Sequence, residues 1–220
     1  MKKAFIFDLD GVIVDTAKYH FMAWQNLANS LGISFSKEQN EQLKGVSRVQ
    51  SLEKILDWGN KTISEEEFTR LLSEKNEEYL KYISKMDTTE ILPDVPRILD
   101  YLISKRQRIA LGSASKNARA ILEKVELYTK FHTIVDGTNV SKAKPDPEVF
   151  LIGAKELEAS PENCIVFEDS VAGIQAANTA NMISIGIGDK EVLHEADYIF
   201  KNFTEITEEF INQLVKTEKA

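Results

Sequence analysis

Short apolar runs rich in Ile, Val and Phe recur along the chain, separated by stretches in which apolar residues return at steps of three and four. The runs are KAFIFD, RIALGSA, HTIVDG, CIVFEDS, MISIGIG and DYIFK. Strands alternating with helices in this way predict an α/β fold with a mainly parallel sheet. Helices are expected over PDVPRILDYLISK, SKNARAILEKV, PDPEVFLIGAKEL and SVAGIQAANTA, several of which open beside Ser, Asp or Pro as helix N-termini prefer.

One region breaks the alternation. Residues 17–85 hold no convincing strand, only helical patterns such as AKYHFMAWQNLANSLG and SEEEFTRLLSEKNEEYLKYIS. This reads as an all-helical insertion directly after the first strand. The expected division is a core domain of residues 1–15 and 88–220 and a helical cap domain of residues 16–87. Hinges are expected near residues 15–17 and 86–93, where MDTTEILPDVP carries turn and proline signals.

Composition narrows the function classes. The 220 residues are 43% hydrophobic and 28% charged, as in an ordinary folded globular protein. A formal net charge of -8 argues against general nucleic-acid or anionic-membrane binding, so an anionic ligand would need local positive charge. The single cysteine, Cys164, cannot form an internal disulfide and lies in an apolar segment, which suits a buried structural role in a reducing compartment. MKKAFIFDLDG lacks the long apolar region of a secretory signal, and no stretch is apolar enough to span a bilayer, so a cytoplasmic location is expected.

Against that background FDLDGVIVDT stands out, because Asp8 and Asp10 are set one residue apart and followed by Gly11 and Asp15. Carboxylates placed together repel, so such a cluster needs a cation, a proton or a chemical use. Parallel sheets bind ligands beyond the carboxyl ends of their strands. After AFIF come Asp8 and Asp10; after IAL come Gly112, Ser113 and Ala114; after IVF come Glu168 and Asp169. The loop after TIVDG delivers Lys144 just before Pro145. Gly186, Ile187 and Gly188 lack the remaining context of a dinucleotide-binding loop and read as a plain turn.

The ordered set DLDGVIVDT, GSASKN, KAKPDPEVF and FEDSVAGIQAA resembles the four motifs of the haloacid dehalogenase superfamily over nearly the whole chain. The resemblance implies a Rossmann-like core with the helical cap between the first two motifs. It also implies that Asp8 is the nucleophile accepting a phosphoryl group and Asp10 the general acid and base. Ser113 and Lys144 would hold the transferring phosphoryl oxygens. Mg2+ would be the cofactor, ligated by Asp8, Asp169 and the backbone carbonyl of Asp10, with Glu168 as a further ligand.

The core motifs leave the phosphoryl acceptor open, and the cap is the informative part. TAKYHFMAWQNLANSLGI, NEQLKGVSRVQSLEKIL and SASKN resemble the β-phosphoglucomutases within that superfamily. This implies interconversion of β-D-glucose 1-phosphate and glucose 6-phosphate through the 1,6-bisphosphate. Lys44, Gly45, Val46, Ser47 and Arg48 would line the sugar site, with the Arg48 guanidinium on the phosphate that is not reacting. Thr16 is expected near the sugar site. His20 would couple substrate binding to cap closure and to the position of Asp10, and Trp24 would pack in the cap while bordering the sugar. Ala114 belongs to the same substrate-binding loop, and Ser115, Lys116 and Asn117 would contact the second phosphate at a helix N-terminus. The expected partners are sugar phosphates bound by a monomer, without nucleic acid or membrane. Two other readings share the core motifs: a capped sugar-phosphate phosphatase and a catalytically silent phosphate-binding protein.

Overall fold

The computed structural model describes residues 3–216, so the outermost residues of the expected core domain, 1–2 and 217–220, lie outside the described residues. Strand β1 (Ala4–Phe7) is buried along its length and runs parallel to both neighbours, β2 (Arg108–Gly112) and β4 (Cys164–Glu168). Outward from these lie β3 (Thr133–Val135) on one side and β5 (Ile183–Ile187) and β6 (Tyr198–Phe200) on the other. The sheet has six strands in the order β3-β2-β1-β4-β5-β6, and all pairings are parallel. The chain builds outward from β1 in one direction and then restarts at β4 in the other. That reversal opens a crevice at the carboxyl ends of β1 and β4, the place where doubly wound sheets bind ligands.

The period of two along β1 divides the core. Phe5 and Phe7 join one buried cluster with Leu111, Ile165 and Phe167, while Ala4 and Ile6 face a second with Ala110, Val166 and Phe150. The Phe7 and Phe167 rings stack at 4.6 Å, locking the ends of β1 and β4 side by side. Each such buried side chain contributes roughly 1.5–3 kcal/mol. The four helices expected around the sheet are present, and all six apolar runs are strands. The structure adds a helix beyond those expected, at Glu208–Lys216, which buries Ile211 and Leu214 in the first cluster.

The helical region supplies α1 (Ala17–Ser30), α2 (Lys37–Glu41), α3 (Arg48–Trp58) and α4 (Glu65–Ile83). Ser36 and Ser47 start α2 and α3 with reciprocal capping boxes to Gln39 and Gln50. Trp24, Leu27, Leu52, Ile55 and Leu71 form a third buried cluster within these helices. The two strands of chain that join this layer to the sheet are tied together: Asp15 N–H donates to the Glu90 carbonyl at 3.0 Å and Leu92 N–H to that of Ile13 at 3.0 Å. The Glu90 carboxylate accepts from Lys18 at 2.6 Å and the Tyr19 hydroxyl at 2.5 Å. Among the described residues no helix is long and apolar enough to cross a membrane. Cys164 is buried, and burial pushes its thiol up to about 12, leaving it unreactive.

Candidate active site

Asp8 leaves β1 with its N–H donating to the Phe167 carbonyl at 2.9 Å. Its Oδ1 accepts from Lys144 Nζ at 2.6 Å. The same ammonium donates to the Gly112 carbonyl at 3.2 Å and to Glu168 Oε1 at 2.5 Å. Glu168 Oε2 accepts from the Ser170 N–H at 2.8 Å and from its hydroxyl at 2.9 Å. Gly173 makes room for this carboxylate, since a Cβ there would stand 1.9 Å from Glu168 Oε1.

Lys144 is expected to grip phosphoryl oxygens; here its ammonium donates to Asp8, Gly112 and Glu168, which places it beside the carboxylate expected to take the phosphoryl group. Glu168 is expected to ligate metal; its Oε2 accepts twice from Ser170, while its Oε1 accepts only from Lys144 and keeps a lone pair for a cation. Burial would lower Lys144, yet the Asp8 and Glu168 charges hold it above the ordinary lysine range. Burial raises Asp8 well above the usual carboxylate range, against the pull of Lys144 and with the push of Glu168, Asp10 and Asp169.

Asp10 accepts a hydrogen bond from the Thr16 hydroxyl. Thr16 is buried and, through Asp10, stands beside the cavity without lining it. Burial raises Asp10 above its ordinary range, a shift that the Thr16 bond opposes. His20 Nε2 lies 3.9 Å from Asp10 Oδ1, while its Nδ1 is 2.9 Å from Lys75 Nζ. With Lys75 donating to Nδ1, the imidazole proton sits on Nε2, on the Asp10 side. Burial, then the Lys75 and Arg48 charges, keep His20 well below the usual imidazole range, so it is neutral. Lys75 is buried over the rings of Trp24 at 4.7 Å and Tyr79 at 4.6 Å. Burial, and then Arg48, lower its amine to about 7.

Between the helical layer and the sheet edge lies a cavity of about 680 Å³. It is lined by Asp8, Asp10 and Asp169, by His20 and Trp24, by Lys44, Gly45, Val46, Ser47 and Arg48, and by Ser113, Ala114, Ser115, Lys116 and Asn117. Lys44 Nζ reaches Asp169 Oδ2 at 3.1 Å and Glu41 at 2.9 Å. Gly45, at φ +71°, lies so near the sheet edge that a Cβ would stand 2.6 Å from Ser170 Oγ. Ser113 Oγ accepts from the Ser115 N–H at 3.1 Å, and Ser115 Oγ from that of Asn117 at 3.2 Å. Arg48 Nη2 donates to Asn76 Oδ1 at 2.6 Å, and Asn117 Nδ2 donates to the same oxygen at 3.1 Å.

Lys75, Asn76 and Tyr79 were not among the expected site residues. A signal for two of them existed: Leu71, Lys75, Tyr79 and Ile83 recur at four-residue steps and are the buried residues of α4, so a lysine interrupts an apolar stripe. Asn76 left no such mark.

The haloacid dehalogenase-like hydrolase family model matches residues 2–181. The chain belongs to this family. Family membership agrees with the parallel sheet and with the acids at its carboxyl edge. Among family relatives, the β-phosphoglucomutase of Bacillus subtilis is 41% identical over 96% of this chain and 94% of its own length. A phosphorylated carbohydrates phosphatase of Thermotoga maritima is 30% identical over 88% of this chain and 91% of its own. The crystal structure of β-phosphoglucomutase from Clostridium difficile superposes with a TM-score of 0.94 at 44% identity, covering 98% of each chain.

The family's acid cluster invites a divalent cation, and this chain's residues fit one in part. Among the described residues, no three or more His, Cys, Asp or Glu side chains converge as a ready-made metal group. Mg2+ does not require one, since it keeps several waters and takes one or two carboxylates. Asp169 already attracts a cation, the Lys44 ammonium. Burial pushes Asp169 up to about 7 against the pull of Lys44, so its charged form gains from positive charge. Asp8 and Asp169 are thus suitable hard oxygen donors, and Glu168 keeps a lone pair on Oε1 as a further one.

Proposed function

We propose that the chain is a β-phosphoglucomutase that interconverts β-D-glucose 1-phosphate and D-glucose 6-phosphate through β-D-glucose 1,6-bisphosphate and a phosphorylated Asp8. The observation that carries this reading is one cavity lined by two sets of groups. Asp8 and Asp10 are the first, and Arg48 with Asn117, joined through Asn76, forms a second set of donors in the same cavity. A substrate with two phosphate ends uses both; a simple phosphatase has less need of the second.

In the first half reaction an Asp8 oxygen attacks phosphorus, the bond from phosphorus to the sugar oxygen breaks, and Asp10 delivers a proton to that oxygen. Its raised pKa suits Asp10 to hold and deliver this proton. In the reverse sense Asp10 takes the proton of the incoming sugar hydroxyl while its oxygen attacks the phosphoryl group on Asp8. His20 and Thr16 hold Asp10 in place. Ser113 and its loop offer hydroxyl and N–H donors to phosphoryl oxygens. Lys144 balances Asp8 and Glu168 so that a nucleophilic carboxylate survives burial. Asp8, Asp169 and the Asp10 carbonyl, with Glu168 as a further ligand, would hold Mg2+, which would neutralise charge between these carboxylates and the phosphoryl group. Closure of the helical layer over the sheet edge would exclude water, which otherwise competes for the aspartyl phosphate.

Mg2+ as cofactor, sugar phosphates as partners and a cytoplasmic monomer as the working form belong to the same proposal. The net charge of -8 and the local placement of Lys44 and Arg48 support a small anionic ligand over nucleic acid. The test supplies purified protein and Mg2+ with β-glucose 1-phosphate and a trace of bisphosphate, following glucose 6-phosphate and free phosphate together, with the α anomer as control. Glucose 6-phosphate without matching free phosphate is the expected result. Free phosphate alone would favour the phosphatase, and no product the silent binder.

A further inference from the structure

Arg48 is a partly buried guanidinium with no carboxylate among its described partners; what holds it is a neutral amide, the Asn76 oxygen at 2.6 Å. Burial lowers its pKa from the ordinary arginine value. A buried cation is normally paired with an acid. The same Asn76 oxygen takes the Asn117 amide at 3.1 Å, so both of its lone pairs are used, one by the helical layer and one by the loop that follows β2. Arg48 keeps further N–H donors, and Asn117 a second one, while both side chains line the cavity.

We propose that Asn76 is a positioning residue for the second phosphate. It fixes Arg48 and Asn117 to one point across the interface and, being uncharged, leaves the Arg48 charge unspent for an anion. An aspartate in its place would hold the same two donors but neutralise the guanidinium and repel phosphate. Asn76 thereby links anion recognition to the meeting of the two layers, because the bridge exists only when they are together. This inference rests on the bisphosphate reading of the cavity.

The test measures binding of glucose 6-phosphate to the Mg2+-loaded protein by titration calorimetry, which needs no turnover. Asn76→Asp should weaken binding by about tenfold or more, and by clearly more than Asn76→Ala. In an Arg48→Ala background the Asn76→Asp loss should shrink to the direct repulsion of phosphate, since no guanidinium charge remains to be spent. A loss in Asn76→Ala as large as in Asn76→Asp, unchanged binding in Asn76→Asp, or an Asn76→Asp loss as large without Arg48 as with it would each overturn the proposal. Should Asn76→Asp fail to fold by circular dichroism, Asn76→Ser replaces it, and its loss must likewise be smaller in the Arg48→Ala background. Wild-type conversion of β-glucose 1-phosphate, followed separately, judges the mutase reading, so the two can fail independently.

Discussion

Lys44 of the helical layer and Asp169 of the sheet edge meet at 3.1 Å, an ammonium resting on a carboxylate that the chemistry would give to a metal. Asp169 draws Lys44 above the ordinary lysine range despite the burial that opposes it. The contact joins the two layers and competes for the same negative charge as Mg2+. Lys44→Met should therefore tighten Mg2+ binding to the substrate-free protein by about fivefold, the worth of a partly buried ion pair of about 1 kcal/mol. Titration calorimetry reads this directly. Weaker Mg2+ binding in the variant would mean that Lys44 helps to build the site.

Lys144 is the only cation hydrogen-bonded to Asp8 among the described residues, and its removal strands two buried carboxylates. Lys144→Met should cost about 3–5 kcal/mol at pH 8. The sign with pH follows from the shifts. Lys144 is raised above its unfolded value, so its stabilisation is fully present below the unfolded lysine pKa and is lost only at higher, alkaline pH. Asp8 is raised as well, so its folded form gains from protonation as pH falls toward the unfolded carboxylate value. Melting curves should thus show the variant recovering stability between pH 8 and about pH 5 relative to wild type. A deficit independent of pH would argue against stranded carboxylates.

Lys75 carries the opposite sign. Its amine falls from the ordinary 10.5 to about 7 in the folded chain. The unfolded state therefore binds more protons between those values, and stability gained from this position rises with pH across that window. Below pH 7 the folded protein bears the cost of a buried charge. Lys75→Met should be more stable than wild type at pH 6 by an amount on the order of a few kcal/mol, an advantage that shrinks as pH approaches 10. Paired denaturant titrations at both pH values check the slope. The same variant loses the donor to His20 Nδ1 and should lower kcat, because the imidazole no longer keeps one tautomer toward Asp10.

These contacts also mark where reading the chain succeeded and where it stopped. The Ile, Val and Phe runs are all strands, because an apolar run bounded by polar turns has few other ways to bury itself, and the acids after them fall at the sheet edge by topology alone. The helix holding Ile211 and Leu214 was missed although its apolar residues sit on one face. Thr16, Lys144 and Glu168 were chosen for the site, but their jobs depend on which partner each finds in three dimensions, and spacing along the chain does not encode that. Asn76 was invisible for the same reason: both its partners are remote in sequence, Arg48 on α3 and Asn117 beyond β2.

Gly11 tests whether the loop of the proposed nucleophile and the proposed metal ligand Asp169 are one unit. It sits at φ +79°, a region costly for residues with a Cβ, and a Cβ there would fall 2.1 Å from Asp169 Oδ2. Its N–H donates to the Val14 carbonyl at 2.9 Å, closing the turn that places Asp8 and Asp10. In Gly11→Ala either the turn must open or Asp169 must move. The backbone strain alone is worth roughly 1–2 kcal/mol, while the displaced carboxylate should weaken Mg2+ binding about tenfold or more. Mutase turnover at limiting Mg2+ should fall accordingly and recover in part at saturating Mg2+. Loss of stability with unchanged Mg2+ affinity would show that the loop yields without disturbing Asp169, and that the two are independent.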